Sequence, residues 1–190
     1  MNEKKLTLAL EQALTRITRE TGLVGGVVDV IQGGKVTFTY HYGYADRENG
    51  IPMDQDTLFD VASTSKAWTV MLAAQAIDEG LLTWDGPIRD VIPEFQMTDE
   101  YAAAHLSVRD LASHRSGLPG HDFLREKIFG DRENLMRKLK DLEFSCGFRS
   151  KYQYNNHLFI LLGYLVERAR GGMLWEDQIV KYIAEPLGVE

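Results

Sequence analysis

Nine of the eleven residues from Ala67 to Ile77 are apolar, and only Thr69 and Gln75 interrupt the run. A helix that is apolar all round must be enclosed on all sides, so any fold open to this chain has to build a core around that segment. The run closes at Asp78-Glu79-Gly80, where Gly80 is suited to the left-handed position that ends a helix. At 190 residues, with 44% hydrophobic and 26% charged side chains, the chain can supply such a core and matches the average for globular proteins.

Around this segment the sequence divides into a strand-forming front and a helical remainder. Leu6, Leu8, Leu10, Leu14 and Ile17, interrupted by Glu11, Gln12 and Arg16, predict an amphipathic helix rather than a secretory leader. Gly25 to Ile31 is β-branched, and Gln32-Gly33-Gly34 supplies turn residues. Lys35 to Tyr42 then alternates, with Val36, Phe38, Tyr40 and Tyr42 on one side. This predicts a hairpin with one buried face and no clear further strand to pair with it. Later, Ser107 to Asp110 has the form of a capping box opening a short helix through Ala112, and Leu158 to Arg168 and Leu174 to Ala184 complete the helical set. No repeat, low-complexity tract or linker separates the parts, so one interleaved unit is expected.

The segment ahead of the apolar run carries the chemistry. Ser63-Thr64-Ser65-Lys66 places a hydroxyl and an amine three residues apart, on one face of a helical turn. Such a spacing arises by chance about once in a chain this long, so its setting decides. The bland role for Ser63 is a helix N-cap. Lys66 resists a bland role, because a lysine in a first turn faces the positive end of the helix and here leads into an apolar segment. Both effects favour the neutral amine, which can activate a serine without histidine. The Ser63 N–H at the same turn can donate to a developing oxyanion.

A second element, Tyr154-Asn155-Asn156, stands just before the apolar helix near Leu158. A phenol can relay a proton, and an asparagine two residues on can hold a substrate amide by donor and acceptor together. Taken alone, Tyr154 reads as a packing tyrosine and Asn156 as an N-cap.

Other features exclude classes. The formal net charge of −7 and the lack of a basic block argue against nucleic acid as a partner. The apolar stretches Val70 to Ile77 and Leu158 to Val166 fall well short of a bilayer span. Cys146 is the sole cysteine and reads as an inert, partly buried thiol. His41, His105, His114, His121 and His157 lack metal-ligand spacing, so no metal and no cofactor are expected. His114, Arg115 and His121 surround a Gly-Leu-Pro loop and read either as lining of a cleft or as loop geometry, the latter being preferred. Trp68, Trp84 and Trp175 read as core. A Met1 start without a leader points to the cytoplasm.

With these residues in view, the sequence resembles the serine β-lactamase and penicillin-binding-protein superfamily, in particular its class C-like branch of esterases, D-amino-acid peptidases and related hydrolases. Thr57 to Lys66 resembles the nucleophile segment and Tyr154-Asn155-Asn156 the Tyr-x-Asn segment, with Asn155 where serine is common. Gly43 to Asp46, Gly80 to Leu82, Ile92 to Phe95, Leu111 to Pro119 and Glu185 to Gly188 follow as non-catalytic landmarks in order.

The resemblance implies an α+β, β-lactamase/transpeptidase-like fold, a helical region packed on an antiparallel sheet. Residues 1–58 would give the N-terminal helix and β-hairpin, 59–170 the helical region with the nucleophile, and 171–190 a returning helix. It implies Ser63 as nucleophile, Lys66 as activating base or proton relay, Tyr154 as base toward the serine and later the deacylating water, and Asn156 as substrate orienter. Relatives carry a third motif, Lys-Thr-Gly or His-x-Gly, on a C-terminal strand, which has no counterpart before Glu190. The expectation is therefore an incomplete domain lacking the C-terminal strands of its sheet.

The expected function is that of a serine hydrolase forming an acyl-enzyme on a D-amino-acid peptide, a β-lactam or a small ester. Its partners would be that substrate and a complementing C-terminal segment or partner chain. Two rival readings use the same residues without turnover: a penicillin- or peptidoglycan-binding sensor, and a structural assembly module whose hairpin edge recruits a strand.

Overall fold

The computed structural model describes residues 3–122 and 131–189, which fall into two compact units, Met1–Asp60 and Val61–Glu190. Met1, Asn2 and Glu190, the ends of the expected first and last segments, lie outside the described residues.

The first unit opens with helix α1 (Glu3–Thr21), followed by β1 (Gly25–Gln32), β2 (Lys35–Asp46) and β3 (Ile51–Pro52) in an antiparallel sheet of order β1-β2-β3. Gly33 and Gly34 take φ of 59° and 73°, the left-handed pair that a two-residue hairpin turn requires and that glycine adopts without a Cβ clash. Gln32 accordingly pairs with Lys35, and the ladder runs to Gly25 opposite Gly43 with a bulge between Val30 and Ile31. Phe38, Tyr40 and Tyr42 are half-buried as the alternation predicts, whereas Val36, nearest the turn, is exposed. The Tyr40 hydroxyl meets the Thr15 hydroxyl of α1 at 3.1 Å. Two points differ from the sequence expectation: β2 continues to Asp46, and Ile51–Pro52 adds a third, two-residue strand. So short a strand carries no periodicity of its own.

The second unit is helical. A single 3-10 turn (Ala62–Ser65) leads into α2 (Lys66–Asp78), and α3 (Glu100–His105), α4 (Val108–Ala112), α5 (Arg132–Lys138) and α6 (Asn156–Ala169) follow. The chain then returns through α7 (Trp175–Ile179), a π-helical stretch (Val180–Ala184) and α8 (Glu185–Leu187). Helices α2 and α6 pack on each other. Leu72, Ala73 and Ala76 from one and Leu158, Leu161, Leu162 and Leu165 from the other are fully buried at the centre of the core, each leucine stabilising the fold by about 1.5–3 kcal/mol through burial.

Two of the helix ends are those the sequence predicts. Gly80 has φ 76°, the Leu81 N–H reaches the Ala76 carbonyl at 2.9 Å and the Gly80 N–H reaches that of Ile77 at 2.9 Å, a Schellman closure of α2. Ser107 and Asp110 form the reciprocal capping box of α4.

One expectation is overturned. Helix α2 is not enclosed all round: Thr69, Leu72, Ala73 and Ala76 form the buried stripe, spaced i, i+3, i+4, i+7, whereas Trp68 and Met71 are 41% and 47% exposed. Hydropathy says which side chains gain by burial, not how many surfaces are there to bury them. Trp68 is therefore not core, unlike Trp84 and Trp175, which pack against it. The indole N–H of Trp175 donates to the buried Thr69 hydroxyl at 3.2 Å, which accounts for that interruption in the apolar run.

An ion pair between the buried Asp110 and the part-exposed Arg149 braces the loops between α4 and α6. Arg149 donates to both oxygens of Asp110, at 2.8 and 2.7 Å, and to the His105 carbonyl at 3.1 Å. Its own N–H reaches the Arg115 carbonyl at 2.9 Å. Burial alone would raise the Asp110 carboxyl, but the hydrogen bonds from Arg149 and Ser107 outweigh it and hold the group below its ordinary value. The Cys146 thiol is half-buried and donates to the Gln153 side-chain carbonyl at 2.8 Å. Among the described residues no cluster of His, Cys, Asp or Glu could hold a metal, and no helix is long and apolar enough to cross a membrane.

Candidate active site

Ser63, Lys66, Tyr154 and Asn156 meet at the heads of α2 and α6. Ala62, immediately before the serine, has φ 44°, a left-handed conformation that costs a non-glycine residue roughly 1–2 kcal/mol. The sharp bend lies at the first residue of the 3-10 turn and is followed by Ser63, whose side chain is exposed. The neighbouring hydroxyls are used locally, Thr64 on the Val61 carbonyl at 2.6 Å and Ser65 on the Ala62 carbonyl at 2.7 Å. Ser63 is not the helix cap, since α2 begins three residues later with Ser65 at its N-cap position and no side-chain cap bond.

The four side chains form one hydrogen-bonded chain. The Tyr154 hydroxyl donates to Ser63 Oγ at 2.7 Å, Lys66 Nζ donates to the same oxygen at 3.1 Å, and Lys66 Nζ also donates to Asn156 Oδ1 at 2.8 Å. Lys66 Nζ lies 5.0 Å from the ring centre of Tyr154 and 5.4 Å from that of Phe159, within the range of a cation–π contact. Hydrogen bonding with Lys66 first, and with Ser63 second, lowers the Tyr154 hydroxyl from its ordinary value near 10; burial and the negative charge of Asp122 oppose this. The arrangement puts the exposed Ser63 hydroxyl against a phenol with enhanced acidity and an amine bonded to the same oxygen.

The segment Leu111 to Pro119 builds the wall behind this chain. His114 is 7% exposed and holds φ 55°. Its carbonyl accepts the Gln153 N–H at 2.8 Å and its Nδ1 accepts the Asn155 N–H at 3.1 Å, so it grips the backbone on both sides of Tyr154. Acceptance at Nδ1 assigns the ring proton to Nε2. The imidazole is 4.5 Å, centre to centre, from the Tyr154 ring and 4.8 Å from Phe159. Burial first, and the charge of Lys66 second, lower the His114 pKa below its usual value, which favours the neutral ring. The sequence favours loop geometry over a cleft wall for His114, because a lone histidine beside Gly-Leu-Pro carries no periodic signal.

Asn155, not Asn156, caps α6. It is fully buried, its Oδ1 accepts the Leu158 N–H at 2.9 Å, and its Nδ2 donates to the carbonyls of Leu118 and Pro119 at 3.2 and 2.7 Å. Asn156 is thereby free to face Lys66, and its Nδ2 donates to Asp122 Oδ1 at 3.1 Å. Asp122 had no mark in the sequence to single it out. His121 turns away, its Nε2 meeting the Glu143 carbonyl at 3.1 Å.

Residues 10–190 match the family model described as Beta-lactamase. The chain is 30% identical over 205 residues to Esterase EstB of Burkholderia gladioli, covering all of this chain and 52% of that protein. It is 32% identical over 193 residues to a D-aminopeptidase of Brucella anthropi, covering 97% of this chain and 35% of that protein. A class C beta lactamase structure from Rhodobacter sphaeroides superposes with a TM-score of 0.79 at 29% identity, over 95% of this chain and 49% of that one. The chain thus spans about half of the esterase and a third of the peptidase. The model match over nearly its whole length, together with these relatives, shows that the chain belongs to the beta-lactamase family, with the β-lactamase/transpeptidase-like fold.

Proposed function

We propose that the protein is a serine hydrolase that forms an acyl-enzyme on Ser63, taking an amide or ester such as a D-amino-acid peptide, a β-lactam or a small ester. The observation that supports this most is the convergence of Tyr154 and Lys66 on one oxygen, Ser63 Oγ, at 2.7 and 3.1 Å. An ordinary surface serine has no use for two proton-active partners.

In the first half-reaction Ser63 Oγ attacks the substrate carbonyl while its proton passes to the Tyr154 oxygen, with Lys66 stabilising the phenolate and relaying the proton. The Ser63 N–H, at the head of the helical turn, is assigned to the oxyanion. Collapse expels the amine or alkoxide, which takes the proton, and leaves an ester on Ser63. In the second half-reaction Tyr154 takes a proton from water, the hydroxide adds to that ester, and the acid departs as Oγ recovers its proton. Asn156 holds the substrate amide, to which it can both donate and accept. With one oxyanion donor assigned, the isolated 190-residue chain is expected to turn over roughly 10²- to 10³-fold more slowly than a site with two. A complementing C-terminal segment or partner chain would restore the difference.

The test is intact-mass spectrometry after incubation with a fluorophosphonate and, separately, a fluorescent penicillin, with Ser63→Ala in parallel. A single adduct absent from Ser63→Ala is expected, and loss of the penicillin adduct over time marks hydrolysis rather than mere binding. A folded protein that no probe labels, with or without a C-terminal segment supplied, overturns the reading.

A further inference from the structure

We propose that Asp122 makes this site select substrates carrying a protonated amine next to the amide that Asn156 holds, such as peptides with a free amino terminus one residue before the scissile bond. The inference rests on the proposed hydrolase reading and narrows its substrate class.

The geometry around Asn156 carries the argument. Its amide is held at both ends, Oδ1 by Lys66 Nζ at 2.8 Å and Nδ2 by Asp122 Oδ1 at 3.1 Å. A flipped amide would set donor against donor at Lys66 and acceptor against acceptor at Asp122, so its orientation is determined. Nδ2 carries two hydrogens, and Asp122 Oδ1 takes one. A substrate carbonyl that accepts the other is bound to the same nitrogen as the carboxylate and lies beside it. The group attached to that carbonyl then meets a negative charge at short range.

Two further observations fit a carboxylate built into the site. A Cβ at residue 120 would stand 2.8 Å from Asp122 Oδ2, so Gly120 leaves room for the second carboxylate oxygen. The charge of Asp122 also reaches the reacting groups, because it is one of the effects opposing the lowering at Tyr154. Lys66 does not cancel this selection, since it occupies the Oδ1 end of the amide, away from the remaining Nδ2 hydrogen. An ammonium beside the held carbonyl is attracted, a neutral acyl group is indifferent, and a carboxylate there is repelled.

Asp122 could instead serve only to orient Asn156, and Asp122→Asn separates the two roles. An asparagine oxygen still accepts from Asn156 Nδ2, so orientation survives while the charge is removed. The experiment uses the full-length protein and measures the concentration of three competitors that halves the rate of fluorophosphonate labelling at Ser63. The competitors are glycyl-D-alaninamide (cationic), acetyl-D-alaninamide (neutral) and succinyl-D-alaninamide (anionic), at pH 7.

The expected result is that the cationic compound competes roughly fivefold better than the neutral one and the anionic one worst, as for a part-exposed charge pair. Asp122→Asn should collapse the three toward one value, each measured against the labelling rate of the same variant without competitor. Equal competition by all three in the wild type, or an order unchanged in Asp122→Asn, overturns the inference while leaving the hydrolase reading intact. Failure of the fluorophosphonate to label Ser63 overturns both.

Discussion

The imidazole of His114 lies 4.5 Å from the Tyr154 ring, centre to centre, and accepts the N–H of Asn155, the next residue in the chain. One side chain thus supports the phenol from behind and fixes the backbone that carries it. Replacing His114 by Phe keeps a ring of similar size but leaves the buried Asn155 N–H without its acceptor, an expected loss of about 1–3 kcal/mol in urea unfolding. The wild type should also show a pH dependence that His114→Phe lacks. Because burial lowers the folded pKa of His114, the unfolded chain binds its proton first. The contribution is therefore whole above about pH 6.5 and is lost as the pH falls through that value toward the lowered one. Unfolding midpoints for both proteins from pH 8 to pH 5 check this, and parallel curves would refute it.

Tyr154 gives a second pH signature. Its hydroxyl is lowered from its ordinary value by Lys66 and Ser63, so the phenolate able to take the serine proton appears before pH 10 is reached. Under the proposed mechanism the rate of Ser63 labelling should climb with pH to an inflection below 10. Tyr154→Phe should lose that limb and react about 10²- to 10⁴-fold more slowly, with an unchanged circular dichroism spectrum. A Tyr154→Phe protein that keeps the wild-type profile would show that the phenol does not carry the proton.

Much of this site was legible in the sequence because its signals are local. The i, i+3 spacing of Ser63 and Lys66 fixes their shared face on any helical turn, and Tyr154 and Asn156 stand at a visible helix start. What stayed hidden depends on tertiary partners. Two adjacent asparagines offer the same cap chemistry, and only the packing of Asn155 under Leu118 and Pro119 decides which one turns inward. His114 and Asp122 become meaningful only when residues 34 to 41 positions away arrive beside them. The fold divides similarly. The glycine turn, the capping box and α6 were readable, whereas α3 and α5, of six and seven residues, are too short for a periodic pattern and rest on the core instead. The exposure of Trp68 and Met71 depends on which surfaces are present, which a run of apolar letters does not encode.

Arg149 and Asp110 supply a prediction about stability alone. Asp110 is 4% exposed and both its oxygens are taken by Arg149. The Arg149 side chain is itself 43% exposed, so removing the guanidinium with Arg149→Leu leaves a buried carboxylate held by Ser107 alone, at an expected cost of about 1–3 kcal/mol. Adding Asp110→Asn to that variant should recover part of the loss, since the amide oxygen can still accept from Ser107 and no charge remains buried. Urea midpoints of the single and double variants measure the coupling. A double variant less stable than Arg149→Leu would mean that the charge itself is not the source of the penalty.

The neighbours Asn155 and Asn156 should respond in opposite ways to the same change. Asn155→Ala removes the cap of α6 and the two donors to Leu118 and Pro119. Losing the cap alone costs about 0.5–2 kcal/mol, and the stranded carbonyls add to it. The wall behind Tyr154 should loosen, with labelling slowed in proportion to the loss of order. Asn156→Ala removes no cap. It deletes a part-exposed link between Lys66 and Asp122, so the unfolding midpoint should move by less than about 1 kcal/mol. Under the proposed function, competition by the cationic dipeptide amide for Ser63 labelling should weaken at least tenfold, because the amide that receives it is gone. Measuring unfolding and competition on both variants gives a two-by-two comparison: stability should follow residue 155 and ligand recognition residue 156. If Asn156→Ala proved the more destabilising, or competed as the wild type does, the division of labour between the two asparagines would be wrong.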